Sequence, residues 1–197
     1  MTETFDLAPA AQQMQRLVAG VRDDQLDAPT PCDSTTVGAL LDHIVGLSVA
    51  FRAAADKEDL PGLDAPPPAP SADSLPADWR AQAPGLLTAL AQAWAKESAW
   101  EGMATAGGVT MPASVMASVA LDEIVLHGWD LARATGQEFE VDPISTEIVL
   151  GFTTAMSAPE EAAGREGLFG PVVTVPDDAP AFDRALGFSG RDPAWTP

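Results

Sequence analysis

The chain has 197 residues, 46% of them hydrophobic and 20% charged, and its 29 Asp+Glu against 10 Lys+Arg leave a formal charge of −19. This is the composition of one acidic domain large enough to bury a core without staples. A surface so negative repels phosphate backbones, which excludes nucleic-acid binding through a basic face, and the single Cys32 cannot close an intramolecular disulfide.

In chain order, a first helix is predicted over about Asp6 to Asp23, where Leu7, Ala10, Met14, Leu17, Val18 and Val21 recur at three-and-four spacing. Ala28-Pro29-Thr30-Pro31-Cys32 breaks it, and a second helix runs from Thr36, an N-cap, to about Ala55. Asp59 to Ser74, with Pro61, Pro66, Pro67, Pro68 and Pro70, reads as a linker. A third helix covers about Pro76 to Trp100, and Gly102 to Pro112 is a short glycine-containing turn. A strongly apolar fourth helix spans Ala113 to Thr135 and stops at Gly136. Asp142-Pro143 opens a fifth, to about Met156. Beyond Gly164 the chain is irregular, with an extended piece at Val172, Val173 and Val175 and a short helix near Ala181 to Leu186. No run approaches the roughly 20 uninterrupted apolar residues of a membrane span, and MTETFDLAPA lacks the features of a signal peptide, so a cytoplasmic setting is expected.

The fold class is all-α, and the loops constrain its topology. In proline-rich extended form the linker from Asp59 to Ser74 reaches roughly 50 Å. That exceeds the about 30 Å length of a 20-residue helix. The chain can therefore return along the second helix and start the third in the same direction. The reading is a four-helix bundle with a long crossover between helices 2 and 3 and an additional C-terminal helical and irregular segment. Residues 1–140 form the bundle and 141–197 an extension packed on it, within a single structural domain.

On the fourth helix Glu123, His127 and Asp130 fall within about 60° of one another and share their sector with Met116, Val119, Ala120 and Ala134. Asp122, Trp129 and Arg133 lie about 100° away. On the second helix His43 sits beside Ala39, Leu47, Ala50 and Ala54, away from Asp42, Arg52 and Asp56. Both histidines of the chain thus point inward, one of them with a carboxylate one turn before it. A buried carboxylate must be hydrogen-bonded, paired or bound to a cation. Two imidazoles and one carboxylate suit a divalent metal, with zinc foremost and nickel or iron as alternatives, and leave a coordination position open. The competing readings are a helical Glu123–His127 hydrogen bond and a satisfied core His43, with no metal. Asp130 either orients a ligand imidazole from outside the metal's reach or pairs with Arg133. Cys32, about 11 residues ahead of His43 or roughly 16 Å along a helix, reads as structural and not as a ligand. Trp129 reads as packing against the C-terminal segment, and Met14, Met103, Met111 and Met116 as core fillers.

The segment Ala120-Leu121-Asp122-Glu123-Ile124-Val125-Leu126-His127-Gly128-Trp129-Asp130-Leu131-Ala132-Arg133-Ala134-Thr135-Gly136 resembles the signature of the actinobacterial maleylpyruvate-isomerase-like proteins of the DinB/YfiT metalloprotein superfamily. Pro29-Thr30-Pro31-Cys32 leading to Leu40-Leu41-Asp42-His43-Ile44-Val45-Gly46 is similar to that family's second-helix motif, and the stretch from Phe169 to Trp195 to its ending. The resemblance implies a DinB-like bundle holding a divalent metal on His43, Glu123 and His127, with mycothiol as a cosubstrate. It implies a metal-dependent, thiol-linked transferase or isomerase whose partners are a small-molecule thiol and an electrophile, working as monomer or homodimer. The alternative is a metal- or small-ligand-binding module without turnover. Family members carry a Trp just before the second helix, where this chain has Ser34-Thr35-Thr36. No catalytic acid or base stands out beyond the ligand set.

Overall fold

The computed structural model describes residues 4–165 and 167–197. Four helices carry the body of the protein: α1 (Ala8–Gly20), α2 (Val37–Asp56), α3 (Trp79–Trp94) and α4 (Ala113–Thr135). Local chemistry sets their ends. The Thr36 hydroxyl accepts from the Ala39 N–H at the start of α2, and Lys57 closes the helix in the left-handed region at φ 54°. Gly136, at φ 68°, stops α4. The outer two boundaries are shorter than expected. Asp23–Gln25 and Glu97–Trp100 form separate 3-10 turns after α1 and α3, because the chain becomes extended at Val21 and Lys96.

The linker makes the crossover. It returns to the start of α2, where the Ser71 N–H donates to Asp42 Oδ2 at 3.1 Å and Ala72 lies against Gly38. α3 then runs parallel to α2, so their far ends meet: Lys96 Nζ lies 2.6 Å from Asp56 Oδ1 and Lys57 donates to the Ala99 carbonyl. Gly102–Pro112 is more than a turn. It is an antiparallel hairpin of β1 (Met103–Ala106) and β2 (Val109–Pro112), joined by Gly107 and Gly108 at φ 59° and 80°. Two successive positive φ values are what a two-residue primed turn needs, and Gly-Gly was its signal in the sequence. The Gly108 N–H donates to the Leu63 carbonyl and so pins the linker. Met103 on this hairpin is 54% exposed and fills no core, whereas Met14 and Met116 are buried.

Against expectation, α2 is long and apolar enough by composition to cross a membrane, with a mean hydropathy of 1.4. Its apolar residues have another use here. Val37, Leu40, Leu41, Ile44 and Phe51 are buried in the core between α3 and α4. Each such burial contributes about 1.5–3 kcal/mol before the entropy of ordering is counted.

After the bundle, α5 (Pro143–Met156) begins at the Asp142 cap, packs on α4, and in turn carries α7 (Ala181–Phe188). A single turn, α6 (Ala162–Arg165), lies between them. The valine-rich piece before α7 forms no ladder. Its one anchor to the helix is the Val173 N–H donating to the Gly187 carbonyl, with Val175 seated against Gly187, which has no side chain to obstruct it.

Candidate metal centre

α2 and α4 pack side by side and antiparallel, which brings His43 across from Glu123 and His127. His43 Nε2 lies 3.4 Å from Glu123 Oε2, and His127 Nε2 lies 3.0 Å from the same oxygen. The two imidazoles meet edge to face at 4.9 Å between centroids. One ligand-type atom from each of the three residues lies within 4.8 Å of the others. The side chains keep a narrow opening to solvent, 26% exposed for His43 and 14% for each of the other two.

Behind His127 stands a buried polar chain. His127 Nδ1 lies 2.9 Å from Asp130 Oδ2, and Arg191 grips the same carboxylate with two bonds, Nε to Oδ1 at 2.9 Å and Nη2 to Oδ2 at 2.7 Å. Arg191 Nη1 also donates to Ser189 Oγ. Asp130 is fully buried and Arg191 only 7% exposed. Of the two roles read for Asp130, the geometry realises the contact with the imidazole. The pairing with Arg133 does not form. Arg133 turns to the Trp195 carbonyl and lies over the Trp129 ring, tying the tail to that side of α4.

The hydrogen bonding leaves one group unaccounted for. Asp130, paired with Arg191, accepts the proton on His127 Nδ1, so a neutral imidazole presents a lone pair at Nε2. That lone pair faces a carboxylate oxygen at 3.0 Å, and the buried Glu123 Oε2 has no properly aligned hydrogen-bond donor. Two acceptors in that position require a proton or a cation between them. Without a metal the proton takes the place. Burial pushes the His127 imidazolium down, but bonds to Asp130, Cys32 and Glu123 outweigh it and raise its pKa well above the ordinary value. Burial likewise pushes the Glu123 and Asp130 carboxyls up. The histidines around Glu123, and Arg191 and His127 around Asp130, reverse this and hold both well below the usual carboxylate range. A divalent cation satisfies the same atoms. Zinc bonds of about 2.0–2.2 Å in tetrahedral array put neighbouring ligand atoms about 3.3–3.5 Å apart, close to the 3.0 and 3.4 Å found here. The donor set fits.

Cys32 lies much nearer than helical spacing implied. The stretch before α2 is not helical: a Pro29–Thr36 bridge and the Thr30 N–H to Thr35 carbonyl bond fold it back on itself. The thiol therefore reaches Asp130 Oδ2 at 3.1 Å and lies 3.5 Å from Arg191 Nη2. Cys32, His127 and Asp130 are also close enough together to resemble a ligand set. The Arg191 guanidinium among them repels a second cation, so the favourable place for a metal is the His43–Glu123–His127 side. Asp122, about 100° from the Glu123–His127 column on α4, is buried as well. It is 1% exposed, with Oδ1 unpartnered, and burial with the Glu123 charge beside it raises its pKa well above normal. α5 packs on α4 and covers part of what would otherwise be its outer face.

Arg191 was not found as a site residue from the sequence. It lies 61 residues beyond Asp130 in an irregular tail, and no periodicity connects the two. Its surroundings, Gly190-Arg191-Asp192-Pro193-Ala194-Trp195, were visible only as a family-like ending.

The helical architecture, with its small two-stranded hairpin, is an all-α DinB-like fold. The chain belongs to the mycothiol maleylpyruvate isomerase N-terminal domain family, which it matches over residues 7–132. That segment takes in α1 to α3 and most of α4, including His43, Glu123 and His127. Two uncharacterised proteins, from different strains of Mycobacterium tuberculosis, are each 30% identical to it over 184 residues, covering 89% of this chain and 90% of the relative. No solved structure matches.

Proposed function

We propose that the protein holds a divalent cation, zinc foremost, on His43 Nε2, Glu123 and His127 Nε2, and uses it in a thiol-linked transfer or isomerisation with mycothiol as the thiol. The observation that carries this is the pair of facing acceptors, His127 Nε2 and Glu123 Oε2 at 3.0 Å, with the other ring nitrogen committed to Asp130. Family membership supplies the link to mycothiol.

When bound, such a cation acts as a Lewis acid and lowers the pKa of a thiol or water in its open position. The chain's own residues prepare that position. Asp130 keeps the proton on His127 Nδ1, so that Nε2 is free to ligate, and Arg191 keeps Asp130 ionised and aimed. Glu123 brings one negative charge against the cation's two, so the site retains a net attraction for a thiolate. A cytoplasmic setting, where small thiols stay reduced, accords with this chemistry.

The test is metal analysis of protein purified without chelator, alongside His127→Ala and Glu123→Gln, followed by a mycothiol-consumption assay. Expected are about one divalent ion per chain, its loss in both variants with helical content retained, and metal-dependent thiol consumption. Wild-type protein that takes up no zinc, nickel or iron would refute the reading. Tight metal with no thiol-dependent turnover would make the protein a binding module instead.

A further inference from the structure

We infer that the cavity between α1, α4 and the segment leading into α5 is a second small-molecule site, and that its ligand is a zwitterionic amino acid with an apolar side chain. The cavity has a volume of about 240 Å³. That is below the roughly 300–1,000 Å³ of sites for drug-sized molecules, so its occupant is small. It lies on the far side of α4 from the metal centre. Ile124, Gly128 and Val125, which line it, fall about 100°, 140° and 200° round the helix from Glu123. The walls are apolar and fixed by packing. Gly128 lets Phe139 and Met14 close on the backbone of α4, where a Cβ would stand 3.1 Å from the Phe139 ring and 3.8 Å from Met14 Cε. Phe139 is held in turn by stacking on Phe182 of α7, with 5.6 Å between centroids.

The charges at the rim select the head group. Arg16 and Glu140 both line the cavity and both are exposed. Arg16 donates to the neutral Gln13 amide oxygen. The ion pairs among the described residues involve neither Arg16 nor Glu140. Two opposite charges that share a cavity without meeting leave room between them for a ligand with the complementary pair, a carboxylate for Arg16 and an ammonium for Glu140. Asp142, also on the rim, is already engaged: its carboxylate accepts from the Ser145 N–H and hydroxyl at 3.0 and 2.6 Å. The non-helical wall offers main-chain groups too. Among the described residues, the N–H and C=O groups of Phe139, Glu140 and Val141 make no backbone hydrogen bond, so they are available to a ligand.

A lone carboxylate or a lone amine matches this rim less well, because each leaves one charge unanswered and brings its own beside the like one. An α-amino acid presents both head groups from one carbon and directs its side chain to the apolar walls, where burial favours it.

The experiment titrates three probes with one carbon skeleton into metal-free protein, since zinc would itself chelate an amino acid, and follows the methyl NMR signals. The probes are L-leucine, 4-methylpentanoate, which lacks its amine, and 3-methylbutylamine, which lacks its carboxylate. L-Leucine is expected to shift Met14, Ile124, Val125 and Val141 with a Kd of about 1 mM or below. The other two are expected to bind about threefold to fivefold more weakly, the worth of one exposed ion pair. Arg16→Gln is expected to remove the advantage of leucine over the amine, and Glu140→Gln its advantage over the carboxylate. Both side chains are exposed, so helical content stays unchanged. No shift of these methyls at about 20 mM leucine, equal binding of the three probes, or an advantage that survives either substitution would overturn the inference. The outcome is independent of the thiol-transfer reading, because nothing in the titration uses the metal or the thiol.

Discussion

Asp130 and Arg191 form a buried ion pair with two direct hydrogen bonds, so removing either partner strands the other. Arg191→Met leaves a fully buried carboxylate with only His127 and the Cys32 thiol as donors. Asp130→Asn leaves a buried guanidinium facing a neutral amide. Breaking such a pair from one side costs about 3–5 kcal/mol, whereas replacing both charges together is often close to neutral. His127 partly compensates the stranded carboxylate, which places Arg191→Met at the lower end, about 3 kcal/mol. The double variant is therefore expected to be destabilised by much less than the roughly 6–8 kcal/mol sum of the singles, with a coupling of at least about 3 kcal/mol. Urea unfolding of EDTA-treated protein at pH 7 measures all four corners, provided the m value is unchanged. Additivity within about 0.5 kcal/mol would refute the reasoning, since it would mean the two side chains do not depend on each other. On the metal side, Asp130→Asn is expected to weaken zinc binding about 10–100-fold, because the amide no longer holds the proton on Nδ1 as a carboxylate does.

The pH dependence has a definite sign on each limb. His127 has a raised pKa in the folded metal-free protein, so its contribution is complete below about pH 6.5 and is lost as the pH rises through the folded value. Glu123 and Asp130 are depressed, so theirs is present above about pH 4.5 and is lost as the pH falls. EDTA-treated protein is thus expected to be most stable near pH 5–6.5, and saturating zinc to remove the alkaline decline by taking the proton's place; chemical denaturation that shows the metal-free protein strengthening from pH 6.5 to 9 would contradict this. Gly190 has φ 86°, and a Cβ there would sit 2.8 Å from the backbone of Gly170. Gly190→Ala is expected to cost at least about 1–2 kcal/mol and, by displacing the adjacent Arg191, to weaken zinc binding as well; unchanged Tm and affinity would show that the tail is not anchored there. Thr36→Ala removes the α2 cap and is expected to cost about 1 kcal/mol, read as a lower urea midpoint with zinc stoichiometry intact.

The elements best read from the sequence are those whose ends are written in local chemistry. Thr36, Gly136 and Asp142-Pro143 mark helix boundaries within a residue, since caps act over a few bonds. The crossover was legible because it follows from chain length and proline content. The hairpin was missed although Gly107-Gly108 announced it, because four-residue strands of Ala, Thr and Met carry little alternation. The ends of α1 and α3 extended too far because periodicity does not distinguish an α-turn from a 3-10 turn.

The sequence by itself determined the bundle and the inward column of Glu123 and His127, since both depend on a period of 3.6 along one helix. It determined the inward face of His43 for the same reason. Only the tertiary structure decided that α2 lies against α4 with His43 at 3.4 Å from Glu123, that Cys32 folds back onto Asp130, and that Arg191 reaches across 61 residues to the same carboxylate. Periodicity states which way a side chain points from its own helix. Which helix stands opposite, and what a non-helical tail brings with it, is settled by the packing of the whole chain.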